Sequence, residues 1–291
     1  MLVPLDGSAN REGILPYITT LAERLGSELL LVAVINPDAL DLPEKFGDVY
    51  GKWETAVRQR LSEIVEELRG KGVSASQLVV QGKPTPQILA AVKDHGCDLI
   101  AISTKGRGLI GWGMLGSVAY NIFHKATVPV LTIAPGTSEE APDVAFGISR
   151  IAVPLDGSKF AESAIPVAEA LAQDFEAEIA LVRVIPSSEF LPSQLKELLT
   201  GELDEALEYE ALEYLQKISR KLETKGHKTV MRVMKGSPGP ELVKAINEVP
   251  DSLVVMASRG RDSSFAEVLG STTLAVVRES GEPVLIIPTK G

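Results

Sequence analysis

Val3-Pro4-Leu5-Asp6-Gly7-Ser8 returns 150 residues later as Val153-Pro154-Leu155-Asp156-Gly157-Ser158. The register holds through Pro16/Pro166, Leu21/Leu171, Leu31/Leu181 and Val34-Ile35/Val184-Ile185. A longer insert in the second copy then moves the offset to 154. At that offset Gly82/Gly236, Pro84/Pro238, Pro86/Pro240, Gly106/Gly260, Gly116-Ser117/Gly270-Ser271 and Pro129-Val130-Leu131/Pro283-Val284-Leu285 coincide. Chance does not maintain one register through so many positions, so the chain is a duplication. Between the copies, APGTSEEAPDVAFG (Ala134–Gly147) has the Pro, Gly and acid content of a linker. The division expected is a first domain over residues 1–135, a linker over 136–148 and a second domain over 149–291.

Within a copy, short apolar runs alternate with longer amphipathic stretches. Leu29–Ile35, Ser76–Gln81, Asp98–Ser103 and Val128–Ala134 read as strands buried on both faces, the mark of a parallel sheet covered by helices. Residues 53–72 place Val57, Leu61, Ile64, Val65 and Leu68 at helical spacing and close on Gly70 and Gly72. The acidic stretch Gly201–Tyr214 reads as an amphipathic helix with a solvated face. The order of elements predicts an α/β fold with a five-stranded parallel sheet in each half, flanked by helices on right-handed crossovers. Ligands of such sheets bind beyond the carboxyl ends of the strands, where strand order reverses. Asp6-Gly7-Ser8 and the loop after Ser103 both lie at strand ends of this kind.

The chain has 291 residues, 45% of them hydrophobic and 23% charged, with a formal net charge of −10. That balance argues against a nucleic-acid partner, which calls for a basic stripe, but leaves room for a small anion held by backbone N–H groups. One cysteine, Cys97, leaves no intrachain disulfide and no cysteine-rich zinc site, and suits a reducing compartment. Cys97 reads as a small buried apolar residue. No apolar run reaches the length of a membrane span, and MLVPLDGS leads directly into a strand rather than a signal peptide. The expectation is a soluble cytoplasmic protein. His95, His124 and His227 have no metal-ligand spacing, and no nucleophile with its base, or G-x-S-x-G elbow, can be picked out. No catalytic or metal-binding residue is assigned, so the residues support no enzymatic reading.

Ser103–Ser117 reads STKGRGLIGWGMLGS, in which Gly106, Gly108 and Gly111 spell G-x-G-x-x-G. The second copy lacks glycines matching Gly108 and Gly111, and the match follows the fourth strand rather than the first. No acidic residue ends a strand about 20 residues on, so the dinucleotide reading fails. A Walker A reading fails for want of a lysine before Ser117. Both copies do keep Gly, nine residues, then Gly-Ser opening a helix: Gly106…Gly116-Ser117 and Gly260…Gly270-Ser271. Glycine lets an anion approach the backbone, helix-start N–H groups point at it, and serine adds a donor. The plainer alternative is a turn glycine and a capping serine. Lys105, Arg107, Arg259 and Arg261 read as ordinary cations of an exposed loop, and Trp112 and Phe265 as gap-fillers. Asp6 and Asp156 suit either a ligand contact or an Asx turn.

These residues carry a resemblance. VPLDGS at each start, Gly82-x-Pro84 and Gly236-x-Pro238, the two Gly-x9-Gly-Ser loops, and the closing PVLTI and PVLII make each half resemble a universal stress protein domain, over nearly its whole length. The chain thus resembles a tandem universal stress protein, which implies a Rossmann-like fold of the adenine nucleotide alpha hydrolase type. ATP-binding members of that family carry Gly-x2-Gly-x9-Gly-Ser/Thr. Gly106, Gly116 and Ser117 match it in the first half, and Gly260, Gly270 and Ser271 in the second. The leading glycine does not match: Ser103 and Ala257 stand there. The family's strand-end aspartate corresponds to Asp6 and Asp156, near ribose and phosphates or a phosphate-bound Mg²⁺. Its backbone adenine contact corresponds to Val34 and Val184.

The function implied is that of a stress-response regulator or sensor binding ATP, ADP or AMP in one or both halves. The alternative is a nucleotide-free interaction protein of the same family, its sites degenerate at Ser103 and Ala257. Because family dimers pair their closing strands, the resemblance also implies an intramolecular pseudo-dimer joining Val128–Ala134 to Glu282–Pro288, with room for a further homodimer of the whole chain. Both strands are apolar, and each would otherwise leave an open sheet edge. Slow amide hydrogen exchange along both strands of the full-length protein is the outcome expected, and rapid exchange along either contradicts it.

Overall fold

The apolar runs form parallel strands. The computed structural model describes residues 1–6, 13–36, 47–103, 115–133, 147–187, 202–259 and 269–289. The chain separates into two units, Met1–Phe146 and Gly147–Gly291. The first contains β1 (Leu2–Pro4), α1 (Leu15–Leu25), β2 (Leu29–Ile35), α2 (Gly47–Gly70), β3 (Ala75–Gln81), α3 (Pro84–Asp94), β4 (Ile100–Ser103), α4 (Ser117–Lys125) and β5 (Val130–Ile133). Its strands lie in the order β3-β2-β1-β4-β5, parallel throughout. The second contains β6 (Arg150–Pro154), α5 (Lys159–Glu162), α6 (Ile165–Phe175), β7 (Glu178–Ile185), α7 (Glu202–Glu223), β8 (Thr229–Lys235), α8 (Pro238–Asn247), β9 (Ser252–Ala257), α9 (Ser271–Glu279) and β10 (Val284–Ile287). Its order is β8-β7-β6-β9-β10, again all parallel. Among the described residues no helix is long and apolar enough to cross a membrane.

The repeated prolines and glycines have local causes. Pro16, Pro166, Pro84 and Pro238 fall in the first turns of α1, α6, α3 and α8, where a missing N–H costs nothing. Gly82 and Gly236 adopt φ of +130° and +141°, and each donates its N–H to the last carbonyl of the neighbouring strand, Ile35 or Ile185, at 2.9 Å. A Cβ at either would come within 2.9 Å of the Gln87 or Glu241 side chain. Gly-x-Pro is therefore a strand exit joined to a helix start.

β1, β4, β5, β9 and β10 are buried along their length, as continuous apolar runs require. Leu61, Ile64, Val65 and Leu68 bury the inner face of α2, which starts at Gly47, six residues before Trp53. Four expectations need correction. Ser76–Gln81 is not buried on both faces: β3 is the outermost strand, and Ser76, Gln77 and Gln81 are exposed. Two of these hold α2 instead, Gln77 donating to Ser62 Oγ at 2.7 Å and Gln81 to Glu54 Oε2 at 3.0 Å. β4 starts at Ile100 rather than Asp98, and β5 at Val130 rather than Val128. Cys97 is half-buried, and that burial pushes its thiol pKa up. Of the expected linker, residues 136–146 lie outside the described residues.

The ends of α1 and α6 share a backbone conformation but not a residue type. α1 closes on Gly26 at φ +59°, and its counterpart α6 closes on Glu176 at φ +54°. A non-glycine residue in this left-handed region costs roughly 1–2 kcal/mol, part of which a glycine returns through the entropy of the unfolded chain. Glu176 is exposed. Glu176→Gly is therefore expected to stabilise the second unit by about 0.5–1 kcal/mol, read as a higher urea midpoint. An unchanged or lower midpoint contradicts the strain.

Candidate functional site

In each unit strand order reverses beside the first strand. β1 pairs with both β2 and β4, and β6 with both β7 and β9. The chain leaves neighbouring strand ends in opposite directions there and opens a crevice at their carboxyl ends. Asp6 follows β1 by two residues and Ser103 ends β4; Asp156 follows β6 and Ala257 ends β9. Ser103 and Ala257 are both buried.

Helices α4 and α9 begin at the second side of this crevice, with Gly116 and Gly270 in the cap positions and Ser117 and Ser271 as first helical residues. The serines therefore do not cap, and both are exposed. The glycines have no side chain with which to cap. Tyr120 N–H is bonded to Gly116 O and Leu274 N–H to Gly270 O, both at 2.9 Å. The N–H groups of the residues between stand ahead of the helical ladder, at the positive end of the helix dipole.

Neither glycine is there for its backbone. Gly116 has φ −62°, ψ 144° and Gly270 has φ −59°, ψ 145°, values open to any residue. A Cβ on Gly270 would sit 3.6 Å from Ser258 O and 3.7 Å from Arg259 Cα and Thr273 Oγ1, in ordinary van der Waals contact. Among the described residues nothing needs that position bare. The helix start is pinned by Gly270 N–H donating to Ser258 O at 2.9 Å and by buried Thr273 Oγ1 donating to Ala257 O at 3.1 Å.

Backbone alternation explains Val34 and Val184. On β2, Leu30 N–H donates to Met1 O and Val32 O accepts Leu5 N–H, so even-numbered residues turn their polar groups toward β1. Val34 is the next of that set, beyond Pro4 where β1 ends. It directs one donor and one acceptor past the strand end. Val184 repeats this beyond Pro154, after the bond from Leu155 N–H to Val182 O.

Asp156 does form the Asx turn: its Oδ1 accepts Ser158 N–H at 2.9 Å, and Ser158 Oγ in turn accepts Ala161 N–H at the start of α5. The turn fixes where the Asp156 carboxylate lies, just beyond the end of β6. Beneath the turn lies a cluster the sequence reading did not single out. Arg183 of β7 is buried, with its guanidinium 4.8 Å from the centroid of the Tyr214 ring and 3.4 Å from Glu210 Oε1. Tyr214 donates its hydroxyl to Glu162 Oε1 at 3.0 Å. Burial, and after it the Glu162 charge, hold the Tyr214 phenol above its usual range, while Arg183 acts the other way. The signal was an arginine inside the apolar run LVRVI, where the first copy has Ala33. The Gly201–Tyr214 stretch is helical from Glu202 and amphipathic as read: Glu205, Glu210 and Glu213 are exposed, while Tyr214 is half-buried against this cluster.

Arg259 also differs from its reading as an exposed loop cation. It is buried, donating Nε to Thr289 Oγ1 at 2.9 Å and Nη2 to Thr289 O, with its guanidinium 5.9 Å from the Phe160 ring centroid. Gly106 and Gly260 lie outside the described residues, as do Lys105, Arg107, Arg261, Trp112 and Phe265.

The model of the universal stress protein family matches residues 1–134 and again 147–288. The chain belongs to the universal stress protein family. A universal stress protein of Mycobacterium tuberculosis is 25% identical over 297 residues, which cover 98% of this chain and 96% of that one, so the tandem arrangement is shared. A universal stress protein of Methanocaldococcus jannaschii is 30% identical over 140 residues, 47% of this chain and 81% of its own length. Among solved structures, a universal stress protein from Archaeoglobus fulgidus has a TM-score of 0.75 at 22% identity, covering all of this chain and 96% of that one; the likeness is one of fold.

Within this universal stress protein, the bond from Thr273 to the end of β9 fixes where α9 starts. Thr273→Val keeps the shape and leaves Ala257 O without that donor, at an expected cost of about 1–3 kcal/mol in the second unit. Urea unfolding checks the value, and a parent-like midpoint means the bond does not anchor the helix.

Proposed function

We propose that this universal stress protein binds ATP or a related adenine nucleotide, ADP or AMP, at the crevice of one or both units. On this reading it acts in the cytoplasm as a regulator or sensor of stress rather than through turnover. The observation that carries the reading is the pair of helix starts with a glycine, Gly116 or Gly270, in the cap position. At Gly270, neither backbone angle nor crowding among the described residues calls for a glycine. A phosphate lying against the backbone does call for one, and the first-turn N–H groups with the Ser117 or Ser271 hydroxyl supply its donors. Asp6 and Asp156 then face the ribose hydroxyls or a phosphate-bound Mg²⁺, and Val34 and Val184 offer one donor and one acceptor to the edge of adenine. Gly106 and Gly260 complete the motif in sequence.

The second reading, a nucleotide-free interaction protein, draws on Ser103 and Ala257. Both are buried at the strand ends where the nucleotide-binding pattern of the family has glycine. Mass spectrometry of the extract released on denaturing the purified protein separates the two: a co-purifying adenine nucleotide supports the first, and an empty extract with no ATP binding in solution supports the second.

Calorimetric titration tests the seat itself. Gly116→Asp or Gly270→Asp places a carboxylate against the phosphates and is expected to weaken that unit by several kcal/mol, about 3 or more. Ser117→Ala or Ser271→Ala removes one donor to an anion and is expected to cost roughly 0.5–3 kcal/mol. Ser103→Gly and Ala257→Gly are expected to tighten binding by relieving the Cβ under the ribose. Aspartate variants that bind ATP as the parent does reduce the loop to a turn and a helix start.

A further inference from the structure

The duplication supplies a control for Arg183. At the same point of the first sheet stands Ala33, buried like its counterpart, so the fold asks for no more than a methyl group there. A guanidinium buried in a strand is expensive unless its contacts return the cost. The contacts of Arg183 all lead to one place. Its three terminal guanidinium atoms, Nη1, Nη2 and Cζ, lie 3.6–3.7 Å from where a Cβ on Gly157 would stand. Gly157, at φ +86°, is the residue between Asp156 and Ser158, which are joined by the bond to Asp156 Oδ1. The same guanidinium stacks on Tyr214, whose hydroxyl is held by Glu162 of α5, the short helix that this turn starts. Glu210 faces it from α7. At the offset of 154, Tyr214 and Glu210 correspond to Arg60 and Ala56, so the first copy lacks the stacking ring and the acid as well as the strand arginine. Arg60 is instead 3.2 Å from Glu63 of its own helix.

We propose that Arg183 is a positioning residue that makes the two nucleotide sites unequal: it props the Asp156 turn from below and makes the second unit the one that selects for ribose hydroxyls. The proposal rests on the nucleotide reading above. A planar cation suits the position, because it fills the flat space between a ring and a bare backbone while pairing with Glu210. With the turn propped, the Asp156 carboxylate is held in one place, so hydroxyl binding pays little ordering entropy.

The test uses the full chain with one site silenced at a time: Gly116→Asp leaves the second unit to be titrated, Gly270→Asp the first. ATP and 2′,3′-dideoxy-ATP are the probes. In the Gly116→Asp background, Arg183→Ala is expected to weaken ATP about tenfold and dideoxy-ATP less than about twofold, collapsing the preference for hydroxyls. Arg183→Lys keeps the charge but not the planar stack, and is expected to recover only part of that preference. In the Gly270→Asp background, Arg183→Ala is expected to leave both probes unchanged. Without nucleotide, the Ser158 amide is expected to exchange faster in Arg183→Ala than in the parent. Should Arg183→Ala fail to fold, Arg183→Met keeps the volume without the cation and carries the same expectations. Equal weakening of both probes, or an unchanged ratio between them, overturns the assignment while leaving the nucleotide reading intact. Failure of the parent to bind ATP at all overturns both.

Discussion

Parallel pairing is the constraint on which the rest of this molecule depends. A strand cannot reach a parallel neighbour through a tight turn; the chain must cross back over the sheet, and a helix is the economical way to do it. Helices on the faces bury the strands, so β1, β4, β5, β9 and β10 are buried from end to end and mostly apolar. All strands point the same way, so their carboxyl ends collect at one edge of each sheet. The growth of each sheet reverses beside β1 or β6, and the connections there part and leave a crevice. Within the first unit Asp6, the end of β4 and the start of α4 gather at its edge, and within the second Asp156, the end of β9 and the start of α9 gather at its own, because of pairing and before any ligand is considered.

The duplication separates what the architecture demands from what it permits. Prolines in the first helical turns and glycines at the exits of β3 and β8 recur because each answers a backbone requirement: a start without a needed N–H, or a positive φ. Gly26 and Glu176 show the same left-handed helix end made with and without glycine. Gly116 and Gly270 recur although their backbone angles are open to any residue, which moves the explanation from the fold to whatever approaches the backbone. Ala33 and Arg183 diverge although both are buried, which moves the explanation from packing to the second unit's own turn.

The overall charge of −10 does not work against an anion at these helix starts. Coulombic repulsion from exposed carboxylates is screened within about 8–10 Å at ordinary ionic strength, whereas aligned first-turn N–H groups act at contact distance. The local dipole decides the matter, and the net charge governs solubility and the choice of macromolecular partners.

Two sorts of information about this protein were written in its sequence. The twofold repeat, the α/β alternation, the positions of the prolines and the Gly-Ser helix starts were all legible there, because each is a local requirement of backbone or periodicity. The Asx turn of Asp156 was legible as one of two readings, since Asp-Gly-Ser favours it wherever it occurs. Tertiary structure decided what depends on meeting across the chain. β3 became an outer strand, so Gln77 and Gln81, unremarkable in a strand pattern, turned to hold α2. Arg259, a loop cation by composition, was drawn inward by Thr289, 30 residues away. Arg183, Tyr214 and Glu162 come from a strand and two helices separated by up to 52 residues, and no spacing rule brings them together. Only the crossing of α7 over β7 does so, because packing sets which side chains face each other, and that is a property of the folded sheet rather than of any segment within it.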